Sequence, residues 1–343
     1  MPDPALADLT TLRLGGPGRR YVAVPDADAL VAAVTEADAA GEPVLLVGGG
    51  SNLVVADAGF AGTVVHITSR GRAVVPADDD AVEVTVAAGE PWDAFVAHAV
   101  AEGWTGVEAL SGIPGTVGAT PVQNVGAYGQ EVAQTISAVR VWDRVLRGER
   151  TFTAAECRFG YRHSRFKADP ARHLVLDVTF RLPRGELSAP VGYAELARTL
   201  GVAVGERAPL ADVRTAVLGL RRGKGMVLDA ADHDTWSAGS FFTNPVVAPD
   251  VVPAGAPSYP QGDGVVKTSA AWLIEHAGFG KGFGLDRPGA RVSLSTKHTL
   301  ALTNRGGATS DELLALAREV RDGVAARFGI TLVNEPVLIG CAL

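Results

Sequence analysis

Cysteine is scarce in this chain. Only Cys157 and Cys341 occur among its 343 residues, far apart and outside any metal-ligand spacing. A disulfide framework is thereby excluded, and the count fits a reducing compartment. There are seven histidines but no H-E-x-x-H and no paired Cys/His spacing, so no zinc site is expected. Positive charge is short as well, with 31 Lys and Arg against 38 Asp and Glu for a formal net charge of -7. A general affinity for nucleic acid or for an anionic membrane needs the opposite sign. No apolar run approaches the ~20 residues that span a bilayer. The opening MPDPALADLTTLRLGG has neither the basic nor the apolar segment of a signal peptide. The expectation is a cytoplasmic protein, monomeric, with no nucleic-acid or membrane partner. Walker A and G-x-S-x-G sequences are also lacking: Ser240 stands in SAGSFFTNP and Ser111 in ALSGIPG.

Valine and glycine, by contrast, are plentiful. A chain of this length that is 47% hydrophobic and 20% charged has material for two or three cores. RRYVAVP reads as a strand and DADALVAAVTEADAAGEP as a helix. Asp26 or Asp28 caps that helix, Leu30, Val31 and Val34 form its apolar face, and Gly41 stops it. Val44–Val47 is a second strand, and LVVADAGFAGTVVHI reads as strand, turn, strand. AVEVTVAAG, SAVRVWD and LVLDVTFRL predict strands of a mixed sheet, interrupted by the helix PWDAFVAHAVAEG. Beyond Pro183 the pattern turns helical as far as RRGKG, and Pro249 to Gly264 is a proline- and glycine-rich excursion. The clearest helix is GGATSDELLALAREVRDGVAARFG. Thr309 and Glu312 make its capping box, and Leu313, Leu316, Ala317, Val320, Val324 and Phe328 its core stripe. ITLVNEPVLIG reads as the last strand.

The run VLLVGGGSNLVV joins a strand to glycines, as dinucleotide sites do. A Rossmann fingerprint needs G-x-G-x-x-G opening into a helix. Here Gly48, Gly49 and Gly50 are followed by Ser51 and Asn52 and then by another strand. Such a loop is either a tight turn or a nest of N–H groups for an anion. A longer glycine loop runs from Glu108 to Glu131, EALSGIPGTVGATPVQNVGAYGQE. Its apolar Ile113, Val117, Val122 and Val125 argue against disorder, and ordered loops of this length are functional as a rule.

Three local clusters remain. In CRFGYRHSRFK, strand alternation puts Arg158 and Arg162 on one face and Tyr161 and His163 on the other, which also suits a solvated basic edge. GSFFTNP reads as a strand whose polar groups face a cleft, or as a buried strand with a turn after it. Glu335 stands within the apolar final strand, so it lies at an edge or is paired in a site.

Taken in order with LGGP, AAWLIEHAGFGKG and KHTLALTN, these segments make the chain resemble the UDP-N-acetylenolpyruvoylglucosamine reductases over nearly its whole length. The resemblance implies an α+β protein with a vanillyl-alcohol-oxidase-like (PCMH-type) fold. FAD is bound non-covalently by two subdomains, here 1–70 completed by 330–343, and 71–183. A C-terminal α+β substrate-binding domain follows, here 184–329. It also implies cofactor contacts from Gly48, Gly49, Gly50, Ser51, Asn52, Ser111, Gly112, Ile113, Gly115, Thr116, Gly118, Ala119, Gln123, Asn124 and Gly126. Reduction of UDP-N-acetylglucosamine enolpyruvate to UDP-N-acetylmuramate, with NADPH as hydride donor, is the implied activity.

By the same resemblance Ser240 donates the proton, Arg162 polarises the substrate carboxylate, and Glu335 assists at the developing enolate. Such roles suit the chemistry, since a preorganised donor aimed at developing charge contributes ~3 kcal/mol to the transition state. Tyr161, Tyr193, Lys224, Asn244 and His298 are the expected substrate contacts. The stretch GMVLDAADHDTW after Lys224 departs from the family's usual proline-containing one, which leaves Lys224 also open to reading as a surface lysine. Two other readings stand beside this one: an FAD-dependent oxidase of the same fold acting on an alcohol or lactone, and a non-catalytic nucleotide-binding protein.

Overall fold

The computed structural model describes residues 3–78 and 80–343, so the first two residues of the opening segment lie outside the described ones. By contacts the described residues fall into two compact units. Among them, one gathers 3–19, 50–61 and 223–343, the other 20–49, 62–78 and 80–222.

The second of these holds two sheets. Strands Gly18–Val24, Phe60–Ile67 and Val44–Val47 lie in that order, Val44 opposite Thr63 and Val47 opposite His66 in a parallel pair. The predicted helix forms at Ala27–Ala39. Asp26, not Asp28, caps it by accepting from the Ala29 N–H, and Leu30, Ala33, Val34 and Ala37 are its buried face. Leu30, Ala33 and Val34 meet Val24, Val65, Leu174 and Leu176 in a small core.

The larger sheet runs Gly148–Thr153, Ile136–Asp143, His173–Pro183, Ala81–Ala87, Arg72–Asp78. Every neighbouring pair in it is antiparallel, which corrects the mixed sheet expected above. An antiparallel sheet needs only one covered face, and burial alternates along Ile136–Asp143 accordingly. The helix Trp92–Ala101 supplies the cover: Trp92 and Phe95 pack on Phe180 with ring centroids 5.9 and 5.0 Å apart. The long glycine loop is ordered by short turns at Glu108–Leu110 and Val117–Ala119 and by a strand pair, Gly126–Ala127 with Gln130–Glu131. The helical stretch after Pro183 is two helices, Ala194–Leu200 and Leu210–Gly223, the first ended by Gly201 at φ +70°.

In the other unit the helix Ser310–Phe328 forms as predicted, with the Thr309–Glu312 capping box and Gly329 beyond its end. Leu313, Leu316, Ala317, Val320 and Val324 share one core with Phe241, Phe242, Leu273 and Leu294. The last strand is shorter than expected. Only Val337–Ile339 pairs, parallel to Leu53–Val55, so Glu335 precedes the strand instead of lying inside it. GSFFTNP is not a regular strand either. Phe241 and Phe242 are both buried, and a single bridge joins Phe242 to Asn334. Within the proline-rich excursion, Ser258–Gly262 forms a strand on Val265–Thr268. No helix among the described residues is long and apolar enough to cross a membrane.

Candidate active site

The glycine turn after Val47 owes its sequence to close backbone approach. A Cβ on Gly49 would stand 2.6 Å from the Gly115 Cα, and one on Gly48 2.4 Å from the Thr116 hydroxyl oxygen. Two glycine turns from distant parts of the sequence thus lie main chain against main chain, which side chains would prevent. The Trp92 N–H donates to the Gly115 carbonyl (3.0 Å), the Val117 N–H to Glu90 (2.9 Å) and the Gly118 N–H to Ala88 (2.8 Å). Thr116 bridges to Pro91, and Ala119 donates to the Thr116 carbonyl (3.0 Å). Neither 48–52 nor 111–119 contains an acidic residue, so both turns suit an anion.

Other side chains build this loop from within. The buried Ser111 hydroxyl donates to the Glu108 carbonyl (2.7 Å), and Ile113 packs on the larger core. Asn124, at φ +50°, donates to Glu131 (2.7 Å) and to the Gly160 carbonyl (3.2 Å) and accepts from the Ala133 N–H (3.1 Å). Gln123 is half-buried beside it in sequence. Gly112, at φ +72°, donates its N–H to Asp93 (2.6 Å), whose carboxylate also receives the fork of Arg214 at 2.7 and 3.0 Å. Burial would raise the Asp93 carboxyl, but Arg214 and the Gly112 N–H outweigh it and hold the group below its ordinary range.

Arg162 does not alternate on a strand as expected. Arg158 and Arg162 both sit at positive φ, Gly160 and His163 pair across a tight turn, and Ser164 caps a short helix, Arg165–Ala168. The local capping bonds of Ser164, whose hydroxyl also donates to the Val122 carbonyl, won over the strand pattern. This turn sends Arg162 to the glycine loop, where its Nη2 donates to the Gly126 carbonyl (3.1 Å). Its guanidinium lies 5.6 Å from the ring of Tyr161, which is itself exposed. Tyr193 is exposed and packs edge-on against Tyr128.

Ser240 and Glu335 belong to the other compact unit, as do Gly50, Ser51 and Asn52. One residue, Phe241, ties the first two together. Its N–H donates to the Leu300 carbonyl (2.7 Å), and its carbonyl accepts from the Glu335 N–H (2.8 Å). Asn52 joins them, donating from Nδ2 to the Glu335 carbonyl at 3.5 Å while its own carbonyl accepts from the Val337 N–H (2.9 Å). Gly50, at φ +57°, is held by the Thr11 N–H on its carbonyl. His298 lies two residues before Leu300 and donates its N–H to the Ser295 hydroxyl (3.2 Å). Asn244 accepts at Oδ1 from the Ala270 N–H (3.0 Å), at the start of the helix Ala270–His276. Lys224 is half-buried in the same unit, ahead of Gly225 at φ +65°. Asp93, Asp234 and Glu275, which sequence reasoning passed over, turn out to be anchors. A lone acid in a helical pattern reads as a solvated face, and only the fold supplies its partner.

Residues 18–149 match the family model of an FAD binding domain, and residues 231–339 that of the UDP-N-acetylenolpyruvoylglucosamine reductase C-terminal domain. The reductase of that name from Cutibacterium acnes is 59% identical over 341 residues, spanning 99% of this chain and 90% of the relative. That from Thermobifida fusca is 59% identical over 354 residues, spanning 98% and 97%. The chain belongs to the UDP-N-acetylenolpyruvoylglucosamine reductase family. A crystal structure of the Thermus caldophilus reductase, 24% identical, overlays with a TM-score of 0.66 across 98% of this chain and 97% of that one, which shows the shared fold. As a member of this reductase family the chain is an FAD-dependent oxidoreductase. Its fold joins an FAD binding domain to the family's C-terminal domain. Each glycine turn by itself fits such a cofactor in bringing no carboxylate against its phosphates, and in 111–118 the Gly112, Val117 and Gly118 N–H groups are engaged by Asp93, Glu90 and Ala88.

Proposed function

We propose that this protein reduces UDP-N-acetylglucosamine enolpyruvate to UDP-N-acetylmuramate, a step of peptidoglycan precursor synthesis, with NADPH as the hydride source. The reading is carried by 59% identity to reductases of that name over essentially the whole chain. When bound, the flavin supplies hydride acceptance and donation. The protein's own residues supply the rest. Ser240 holds a proton on Oγ for the carbon beside the one that receives hydride. A serine hydroxyl is far too weak an acid to ionise at neutral pH, so it gives its proton only to a strongly basic enolate, and general acid catalysis of this sort contributes ~10²–10⁴ in rate. Arg162 offsets charge on the substrate carboxylate and Glu335 assists at the enolate. Tyr161, Tyr193, Lys224, Asn244 and His298 orient the nucleotide-sugar. Residues 1–70 with 330–343, and 71–183, serve the cofactor, and 184–329 the substrate. The protein works in the cytoplasm as a monomer.

The support from geometry is local. The Phe241 carbonyl ties the Ser240 segment to the Glu335 N–H, and Arg162 donates to the carbonyl of Gly126 in the cofactor loop. The test separates the half-reactions. Ser240→Ala should leave flavin reduction by NADPH at the wild-type rate and slow reoxidation by the enolpyruvyl nucleotide at least ~10²-fold, followed at the flavin absorption band by stopped flow. Equal slowing of both halves removes Ser240 from the proton-donor role. Rapid reoxidation of the reduced protein by O₂ would favour an oxidase instead.

A further inference from the structure

We propose that Asp234 is the positioning residue for the proton-donating corner, acting through the segment Ser295–Ala301; this rests on Ser240 being the proton donor. Ser240 lies outside any regular strand, so its placement comes from Phe241, whose N–H is fixed by the Leu300 carbonyl. What holds Leu300 therefore bears on Ser240, beside the Glu335 N–H on the Phe241 carbonyl. Leu300 sits in a loop closed by its own main chain: the Ser295 N–H donates to the Ala301 carbonyl (2.8 Å) and the Ala301 N–H to His298 (3.1 Å). The Ser295 hydroxyl accepts from the Lys297 and His298 N–H groups at 3.0 and 3.2 Å.

Asp234 anchors the front of this loop. It is 4% exposed, in a short turn after Lys224. Its Oδ1 accepts from the Thr296 N–H (2.9 Å) and from Arg305 Nη1 (2.7 Å), and its Oδ2 from the Thr296 hydroxyl. Glu275 takes the Thr299 hydroxyl one residue before Leu300, and Asp232 pairs with Lys297. A buried carboxylate persists only where donors surround it. Here burial pushes the Asp234 carboxyl up, yet Thr296 and Arg305 together keep it below its ordinary range. An asparagine in its place would remove the charge that answers Arg305 and turn the Thr296 hydroxyl from donor to acceptor, and the loop would shift. Displacements of about 1 Å at a reacting group cost ~10² in rate.

The experiment compares Asp234→Asn, Thr296→Val and Ser240→Ala in the flavin-loaded enzyme. Expected for Asp234→Asn are an unchanged rate of flavin reduction by NADPH, a second half-reaction slowed roughly 10²-fold with little change in the substrate's KM, and a larger solvent deuterium effect on that half. Amide exchange at Phe241 should quicken in the same variant, a change that loss of stability elsewhere does not produce selectively. Thr296→Val, which keeps the Asp234–Arg305 pair, should give a smaller effect of the same kind, and it carries the test if Asp234→Asn does not fold. Wild-type second-half rates in both variants, with Ser240→Ala stalled, overturn the positioning role alone. A fully active Ser240→Ala overturns the proton-donor reading and this proposal with it.

Discussion

A methyl group at position 49 has nowhere to go. It would stand 2.6 Å from the Gly115 Cα and 3.1 Å from its carbonyl carbon, and main chain does not yield as the tip of a side chain does. Gly49→Ala should therefore part the two glycine turns, at an overpacking cost of about 1–3 kcal/mol, and the protein should be purified without its yellow cofactor. Gly41→Ala is the comparison. That residue, unlike Gly49, is left-handed, at φ +66°, but a Cβ there meets nothing within 4 Å. It should cost about 1–2 kcal/mol of backbone strain and keep the flavin. Absorbance at the flavin band per mole of protein reads both, and equal flavin content in the two variants would show that the close approach of the turns is irrelevant to the cofactor.

At the scale of elements, the helix Trp92–Ala101 does two jobs. Its apolar face covers the five-stranded sheet, and Asp93 in its first turn holds the Gly112 N–H and the Arg214 fork. Asp93→Asn should leave the sheet intact and loosen the loop, lowering FAD affinity about tenfold, the worth of a charge-assisted bond. Arg214→Lys, which keeps the charge without the fork, should lose less. Titration of apoprotein with FAD decides, and an unchanged affinity in Asp93→Asn would separate the loop from the helix. These elements were legible to different degrees. Ser310–Phe328 could be read outright, because a capping box, a 3.6-residue stripe and a terminal glycine all agree. CRFGYRHSRFK could not. Its alternation mimicked a strand, while positive φ at Arg158 and Arg162 and the Ser164 cap decided the path. In GSFFTNP both phenylalanines are buried, so period two carried no information. Strand direction in the large sheet depends on which strands become neighbours, a long-range matter that valine content does not encode. The candidate residues were legible only through ordered motif resemblance; no spacing links Ser240 to Glu335, which meet through the peptide of Phe241.

Over the whole molecule, buried titratable groups set how the protein meets acid. His173 lies 8% exposed between the edges of Phe152 and Phe166, centroids 5.4 and 5.8 Å away. Burial lowers its pKa from 6.5, and the Asp143 carboxylate, 3.8 Å from Nε2, only partly opposes that. His66 is lowered by burial as well, and then by Arg70. A histidine that stays neutral in the fold and protonates when unfolded makes stability fall as pH drops below about 6.5. Asp143 acts in a lower window. Hydrogen bonds from Arg172, followed by the Leu146 and Val145 N–H groups, outweigh its burial and hold it at about 2, down from 3.8. Its contribution is complete above the unfolded value and disappears as pH falls from about 4 to about 2. The melting temperature should therefore hold level from pH 8 to about 7, decline gently below about 6.5, and drop steeply below about 4. His173→Phe, which suits an aromatic cleft, should lessen the gentle decline, His66 keeping its share, and leave the steep one in place. Calorimetry across that range checks both windows, and a decline at pH 6 undiminished in His173→Phe would take the histidine at 173 out of the account.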